Sequence, residues 1–449
     1  MAAYIVNSDS SSDLFGRIRR FKNSEEERLL KTSLKHIVQN DLPFINLVID
    51  SCNGKRGGLF TEACVELSPY VEDVGVDTEE IGLINMRLLF KLDIFEKFLE
   101  NGIDSVLNDT DIVTVFLTLL EFLRDRKVHG KAIKEIIKEA PGKTTVMVAL
   151  AQHLLSQLVP DKEYLVDSTA KQLPKKCPDC NVQIQAGNTS IGSLSTWHGR
   201  ADILINKTIA VTVVEEDTET GNSSNDSKLR NSSNDTKLRN SLHDTDMENA
   251  LNDADLGSSS DSINVEPSIK RRKTASNEKT EIFIDVSRGE DILTNLYTLD
   301  QIVAETVTNG FAQVNMDNLL SGLFIPTIGC TAGHASIFLY DPENDILLQA
   351  GELLQLWHVS PSERLLSVFS IVCLWLFLNF KTFSVKNLKD KVKLDKSRFH
   401  EYMKYKLRFY KEIQIGMLSC TSTSPRPLGT LTQDLKMYCT FRKPSEHIR

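Results

Sequence analysis

Residues 197–205 (WHGRADILI) and 209–214 (IAVTVV) decide the fold of this chain. Both contain apolar runs with β-branched residues, and only residues 206–208 separate them, which is the pattern of an antiparallel β-hairpin. In such a hairpin the start of one strand lies beside the end of the next. We therefore expect Asp202, which opens the first strand, and Glu215, which closes the second, at the same edge of the sheet. Two carboxylates there can bind a hard divalent cation such as Mg²⁺ or Mn²⁺.

The elements on either side of this hairpin predict an α/β (α+β) fold with a mixed sheet. The core is predicted to comprise residues 141–215 and 281–380. Before the hairpin we expect a helix and a strand, and after it a strand, a helix and two more strands. The predicted ranges are 144–158 and 181–186 before it, and 281–286, 291–314, 325–329 and 335–340 after it.

A segment of different composition, residues 216–280, interrupts this core. The nine-residue unit NSSNDSKLR (222–230) recurs as NSSNDTKLR (231–239), and a unit so short and polar cannot build a packed repeat. We therefore predict a disordered, low-complexity insertion. The basic run KRRK (270–273) within it is typical of a nuclear localisation signal.

Residues 1–140 are predicted to form a helical module, because apolar residues recur there at spacings of three and four. Ser24 followed by three glutamates is a helix N-cap with acids in the first turn. The sequence of this region contains no motif that indicates a catalytic or ligand-binding site. The N-terminus also lacks the pattern of a secretory signal peptide, so we expect an intracellular protein, in the nucleus rather than the cytoplasm.

The charge of the chain is unevenly distributed. The net charge is −9, yet residues 381–449 carry 16 Lys and Arg against 6 Asp and Glu. A basic C-terminal segment on an acidic body predicts a polyanionic partner, which we expect to be DNA or RNA rather than a membrane. With 25% charged and 41% hydrophobic residues, collagen-like, wholly disordered and disulfide-rich secreted classes are excluded. No protein partner can be named from the sequence.

Two stretches in the C-terminal third allow alternative interpretations. Residues 365–380 contain no charge, and a helix of 16 residues is short for a bilayer. We therefore predict a buried helix, and a single membrane span is the alternative. Residues 397–411 interleave cations with aromatic side chains. They form either a surface that binds phosphates and stacks on bases, or an amphipathic helix whose apolar side faces a core. That side would comprise Phe399, Tyr402, Met403, Leu407 and Tyr410.

The central pattern resembles the PD-(D/E)XK nuclease superfamily, which has a restriction-endonuclease-like core. That pattern is a Gly before a strand-opening Asp, an apolar strand ending in Glu-x-Lys, and often a helix with Gln. Gly199, Asp202, Glu215 and Gln301 match it, over roughly residues 141–350 without the insertion. The resemblance implies that Asp202 and Glu215 bind Mg²⁺ or Mn²⁺ for hydrolysis of phosphodiester bonds, with Gln301 near the site.

One position departs from the pattern, because Asp217 stands where the superfamily has its lysine. Lys207 lies on the hairpin turn, at the wrong end to replace it, although a lysine from another element would serve. The first core helix also lacks the expected Glu. The chain is therefore either a metal-dependent nuclease with a rearranged site, or a catalytically inactive nuclease-like fold that acts as a binding or scaffolding protein. In the active case, Asp217 or a backbone carbonyl is an additional metal ligand. The alternative explanation of the acids is a solvated strand end that enters an acidic disordered loop, and the order of the elements favours the nuclease-like interpretation over it.

Two further motifs are only weak evidence for a nucleotide site and a zinc site. Gly142-Lys143-Thr144 resembles the end of a P-loop, but position 137 is Ile and no strand precedes it, so a loop and helix cap is expected. Cys177 and Cys180 have the spacing of half a zinc site, but no second such pair exists, so we expect two reduced thiols in a turn and no zinc. The side chains left to complete a zinc site are Cys330, His334 and His198.

Overall fold

The computed structural model describes residues 9–40, 42–73, 79–215, 292–359 and 364–418 of the 449-residue chain. Its helices are α1 (Asp9–Phe21), α2 (Glu25–Gln39), α3 (Leu92–Asn101), α4 (Thr110–Glu139), α5 (Lys143–Leu150), α6 (Leu296–Met316), α7 (Val368–Leu378), α8 (Phe380–Phe383), α9 (Phe399–Tyr402) and α10 (Leu407–Tyr410). Its strands are β1 (Pro43–Cys52), β2 (Gly58–Leu59), β3 (Val65–Pro69), β4 (Val71–Asp73), β5 (Glu79–Ile81), β6 (Leu83–Asn85), β7 (Tyr164–Asp167), β8 (Ala186–Gly187), β9 (Ser190–Gly192), β10 (Trp197–Arg200), β11 (Ile203–Ile205), β12 (Ile209–Val213), β13 (Ile325–Cys330), β14 (His334–Asp341), β15 (Ile346–Ala350), β16 (Leu354–Gln355), β17 (Trp357–Val359) and β18 (Arg364–Leu366).

One large mixed sheet organises these elements, in the order β3-β1-β15-β14-β13-β12-β11-β7-β8. β12 runs parallel to β13, and β7 runs parallel to β8, whereas the other neighbours in this order are antiparallel. The predicted α+β class with a mixed sheet is therefore confirmed. The predicted hairpin is present as β11 and β12, with Ile203 opposite Val211.

Both faces of the sheet are covered, because successive side chains of a strand point to opposite sides. Ile203 and Val211 pack into a core formed with α2, α3, α4, α5 and α7. Leu204 and Ala210 face the other core, which is formed with α6 and the segment that contains α9 and α10. The hairpin is thus buried along its length, and only its ends reach the surface.

The sequence-based prediction that residues 1–140 are purely helical is wrong for residues 43–85. β1 lies inside the main sheet, between β3 and β15. All three strands belong to the same compact unit as the rest of the sheet. The run from Phe44 to Ile49 is apolar apart from Asn46, and a short run of this kind does not distinguish a strand from a helix by periodicity.

The first strand of the core was also misplaced. Residues 181–186 were predicted to be a strand, but only Ala186 belongs to one, and Asn181 has a positive φ of 57°. The place beside β11 is taken by β7, in which Tyr164 pairs with Ile205. Four residues of β7 are too few for a clear alternation of polar and apolar side chains.

Most of the apolar segment 365–380 forms α7 (Val368–Leu378), which is buried in the first core, as predicted. Trp375 is fully buried, and its indole N–H donates to the carbonyl oxygen of Val115 at 3.1 Å. Within the described ranges, no helix has both the length and the apolar character that a bilayer crossing needs.

The segment 397–411 contains the two short helices α9 and α10 and no continuous helix. Phe399, Met403 and Tyr410 are nevertheless fully buried, so the predicted packing against a core is confirmed. The ring of Phe399 stacks on Trp197, with 5.5 Å between the centroids. The predicted strand at 281–286, the repeat, the run at 270–273 and Asp217 lie outside the described residues.

Candidate functional site

Asp202 lies immediately before β11, and its side chain reaches across to the neighbouring strand. Its Oδ2 atom accepts the backbone N–H of Val213 at 2.7 Å. Its own carbonyl oxygen accepts the N–H of Asp167 at 3.0 Å, so the residue is held from two sides. Only 14% of the Asp202 side chain is exposed. Burial raises the pKa of this carboxyl group above its ordinary value, while Lys143 and the Val213 amide oppose that rise.

Lys143 supplies the positive charge beside this carboxylate. Its Nζ atom lies 2.9 Å from Asp202 Oδ2, and 39% of the lysine side chain is exposed. Lys143 is the first residue of α5, and Gly142 before it has a φ of +156°, which residues with a side chain rarely adopt. The chain turns at Gly142 immediately before α5 begins. The ammonium group of Lys143 therefore lies at the end of the hairpin.

Glu305 lies beneath this ion pair, in the middle of α6. It is fully buried, and its Oε2 atom accepts a hydrogen bond from the hydroxyl of Thr212 on β12. Its Oε1 atom has no hydrogen-bond partner in the part of the chain that the structure describes. The pKa of Glu305 is raised to about 8, mainly by burial and in addition by the negative charge of Asp202, while Thr212 and Lys143 oppose the rise.

Glu215 follows β12 by two residues and is exposed. A Cβ atom placed on Gly142 would lie 3.8 Å from Glu215 Oε1, so the carboxylate approaches the start of α5 closely. Glu215, Asp202 and Lys143 line one open cleft of ≈ 750 Å³. The sequence-based expectation that the two acids lie at one edge of the sheet agrees with this arrangement.

The remaining wall of the cleft is the loop after β7. Asp167, at the end of that strand, forms an ion pair with Arg200 at 3.2 Å. The hydroxyl of Thr144 donates to the carbonyl oxygen of Lys171 at 2.9 Å, which ties this loop to α5. The loop residues that line the cleft are Thr169, Ala170, Lys171, Gln172, Pro174 and Pro178.

Two residues of the sequence pattern, Gln301 and Gly199, lie outside the cleft. Gln301 is half-buried on α6 and is not among the residues that line the cleft. Gly199 lies on β10, where a side chain would collide with Phe60, so its role is packing rather than an approach to a metal. Asp217 lies outside the described residues.

Sequence analysis missed both Lys143 and Glu305 as site residues. In the sequence, Lys143 belongs to the fragment Gly142-Lys143-Thr144, which is too incomplete to indicate a P-loop. Glu305 is the last residue of the QIVAE run that begins at Gln301. A signal for Glu305 was present, since it is an acid one helical turn after Gln301 within an otherwise apolar stretch. Lys207, by contrast, pairs with Glu163 at 2.6 Å, at the opposite end of the hairpin, as predicted.

Comparison with known proteins gave no match to a family model, to a curated protein or to a solved structure. What the chain does must therefore be inferred from the chemistry of this cleft.

Proposed function

We propose that this chain is a nucleic-acid-associated protein with a PD-(D/E)XK-like core that hydrolyses phosphodiester bonds with Mg²⁺ or Mn²⁺ at Asp202 and Glu215. The observation that carries this proposal is the 2.9 Å contact between Lys143 Nζ and Asp202 Oδ2. The PD-(D/E)XK pattern needs an ammonium group beside its metal-binding acids, and Asp217 cannot provide one. In this proposal Lys143, from a different element, replaces the missing lysine.

The side chains around the cleft suit a hard cation. Asp202 and Glu215 offer carboxylate oxygens, which Mg²⁺ and Mn²⁺ prefer as ligands. The buried Oε1 atom of Glu305 has no partner in the described part of the chain, and a buried oxygen of that kind calls for a cation, a proton or a water. Glu305 is not among the residues that line the cleft, so it would act on a cation at Asp202 through its charge and not as a ligand.

When bound, Mg²⁺ or Mn²⁺ would polarise a phosphoryl oxygen and lower the pKa of a bound water. Lys143 is exposed enough to reach a phosphate in the cleft, where its ammonium group would orient the attacking water and offset developing negative charge. The Val213 amide holds the Asp202 carboxylate in place for this task.

The test is cleavage of labelled single- and double-stranded DNA and RNA in Mn²⁺. We expect Asp202→Asn and Lys143→Ala each to reduce the rate about 10²- to 10³-fold, the usual loss when one charge-stabilising group is removed. Lys207→Ala is the matched control, because this lysine pairs with Glu163 at the opposite end of the hairpin, away from the cleft, and we expect near wild-type rates from it. Equal cleavage by wild type and Asp202→Asn would refute the proposal.

The second candidate function is an inactive nuclease-like fold that binds or scaffolds. It is favoured by the same ion pair, because without a cation Lys143 and the Val213 amide already satisfy Asp202 Oδ2. Thermal unfolding with increasing Mn²⁺ separates the two candidates. A cation site filled at 100 times its Kd stabilises the fold by about 2.7 kcal/mol, and Asp202→Asn should abolish that gain. No gain in the wild type, together with no cleavage, would favour the scaffold.

The nucleic-acid partner is proposed to contact the surface around α9 and α10. Tyr405 is 82% exposed there, and the ring of Phe409 lies 5.0 Å from Lys406 Nζ and 4.8 Å from the guanidinium carbon of Arg408. Cations beside exposed rings suit a backbone phosphate next to an unpaired base. The proposal includes entry into the nucleus through the basic run at 270–273.

A further inference from the structure

A second cluster of side chains lies beside the cleft, on the loop that forms its wall. The ligand atoms of His153, Cys177 and Cys180 all lie within 4.8 Å of one another. His153 Nε2 and Cys177 Sγ lie 3.2 Å apart. Zinc bonds of about 2.0–2.3 Å in a tetrahedron place such N and S atoms roughly 3.5–3.8 Å apart. The three side chains therefore stand close to the spacing that zinc imposes.

The turn that carries the two cysteines has the form of a metal-binding knuckle. Asn181, directly after Cys180, has a φ of +57°, which turns the chain back on itself. The Cys177 N–H donates to the carbonyl oxygen of Val182 at 2.8 Å, and the Asn181 N–H donates to that of Cys177 at 3.0 Å. The amides of Asp179 and Cys180 point at the Cys177 sulfur. Burial raises the pKa of the Cys177 thiol, and these two amides oppose that rise.

The histidine side of the cluster comes from two helices. His153 lies in a π-helical turn, Ala151–Leu155, that continues α5, and such turns often occur at functional sites. The ring of His129, on α4, lies 5.8 Å from the ring of His153, centroid to centroid. In the described part of the chain, its buried Nδ1 atom has no hydrogen-bond partner.

We propose that Cys177, Cys180 and His153 bind one structural Zn²⁺ and that His129, after a rotation of its side chain, is the fourth ligand. Two thiolates and two imidazoles suit Zn²⁺, and they do not suit the oxygen-loving cation proposed at Asp202. Sequence analysis had expected no zinc because no second cysteine pair follows. The missing ligands are instead on helices 24 and 48 residues before Cys177 in the sequence.

Zinc at this position would join the cysteine loop to α4 and α5. Pro178, between the two cysteines, lines the cleft that contains Asp202, and Lys171 of the same loop is tied to Thr144. The ion would therefore fix one wall of the cleft. This inference does not depend on the proposed nuclease activity, because its test needs no nucleic acid.

The test is metal titration of the reduced full-length protein, first freed of metal by a chelator. We expect one equivalent of Zn²⁺ to bind in competition with a metallochromic dye. One equivalent of Co²⁺ should give the thiolate charge-transfer band and the visible bands of a tetrahedral site. Cys180→Ser and His153→Ala should each weaken Zn²⁺ binding at least about 100-fold, as expected when a ligand atom is lost. Cys52→Ser, a cysteine on β1, is the matched control and should bind as the wild type does.

Cys180 is the better cysteine to replace, because it is exposed, whereas Cys177 is fully buried and its replacement can unfold the chain. A measurement on the wild type gives an independent check. Zn²⁺ should slow alkylation of Cys180 and raise the melting temperature, and a chelator should reverse both effects. Absence of a bound equivalent, or unchanged affinity in Cys180→Ser, would overturn the site. Unchanged affinity and an unchanged Co²⁺ spectrum in His129→Ala would overturn the assignment of the fourth ligand.

Discussion

At the scale of single residues, Glu305 has the clearest physical consequence. A carboxyl group in an apolar environment favours its protonated form, because the charged form loses its hydration. Glu305 is fully buried between α6 and β12, and its one hydrogen bond, from Thr212, does not offset that loss. Burial raises its pKa to about 8, so the side chain titrates close to physiological pH.

This shift predicts a pH-dependent stability that Glu305→Gln should remove. The stabilisation from the bound proton is fully present below the ordinary pKa of 4.5 and is lost as the pH rises through about 8. Within that window the wild type should lose about 1.4 kcal/mol of unfolding free energy per pH unit through this group. The glutamine variant keeps the shape of the side chain without an ionisable group. Urea unfolding of both proteins between about pH 6 and 8, without divalent cations, measures the difference.

The comparison of the two pH profiles isolates Glu305 from the other titrating acids. Asp202 also has a raised pKa, and its titration remains in both proteins. Parallel profiles for wild type and Glu305→Gln would show that Glu305 is ionised across this range. A saturating divalent cation that binds near Glu305 should flatten the wild-type profile, because it stabilises the charged form.

At the scale of elements, the segment with α9 and α10 combines two roles that sequence analysis treated as alternatives. Phe399 is buried against Trp197, Phe311 and Tyr410, whereas Tyr405 is exposed only six residues later. One side of the segment therefore completes the second core, and the other side presents basic and aromatic groups to solvent.

Two substitutions in this segment should have opposite effects. Phe399→Ala removes a fully buried ring and should lower the free energy of unfolding by about 3–5 kcal/mol. Tyr405→Ala should leave stability within about 0.5 kcal/mol, as surface changes usually do, but should weaken binding of single-stranded nucleic acid. Chemical unfolding and fluorescence anisotropy with a labelled oligonucleotide test the two effects. Unchanged affinity in Tyr405→Ala would exclude this ring from the proposed interface.

At the scale of the whole molecule, the N-terminal region is part of the main sheet. β1 is hydrogen-bonded to β15 on one side and to β3 on the other, with Phe44 opposite Ala350. The same region supplies α2, α3 and α4 to the first core. Residues 1–140 therefore contribute structure that the predicted core of residues 141–380 cannot replace.

Removal of residues 1–140 should consequently prevent folding. The truncated chain would leave β15 as an open sheet edge and would expose the apolar face that α4 covers, so we expect aggregation or loss of a cooperative transition. The control replaces residues 222–275 with a short Gly-Ser linker, which should retain a cooperative transition near the wild-type midpoint, since closure entropy changes slowly with loop length. Circular dichroism and size-exclusion chromatography distinguish the outcomes. A soluble, cooperatively folded 141–449 fragment would contradict the shared core.

Several parts of this architecture could be predicted because their cause is local. The hairpin of β11 and β12, the buried α7 and the strands β13 and β14 follow from apolar runs bounded by polar or turn residues. The common edge of Asp202 and Glu215 follows from the geometry of an antiparallel pair. β1 and β7 could not be predicted in the same way, because their short runs are equally compatible with other elements.

By itself, the sequence determined the α+β class, the central hairpin and the two acids at its end, because alternation along a strand and the reversal at a turn are local properties of the chain. Only the tertiary structure decided which groups join them. Lys143, 59 residues before Asp202, and Glu305, 103 residues after it, reach the hairpin because two helices pack on opposite faces of one sheet. Packing across such separations leaves no periodic trace in the sequence. The meeting of His153 with Cys177 and Cys180 depends on the same long-range packing.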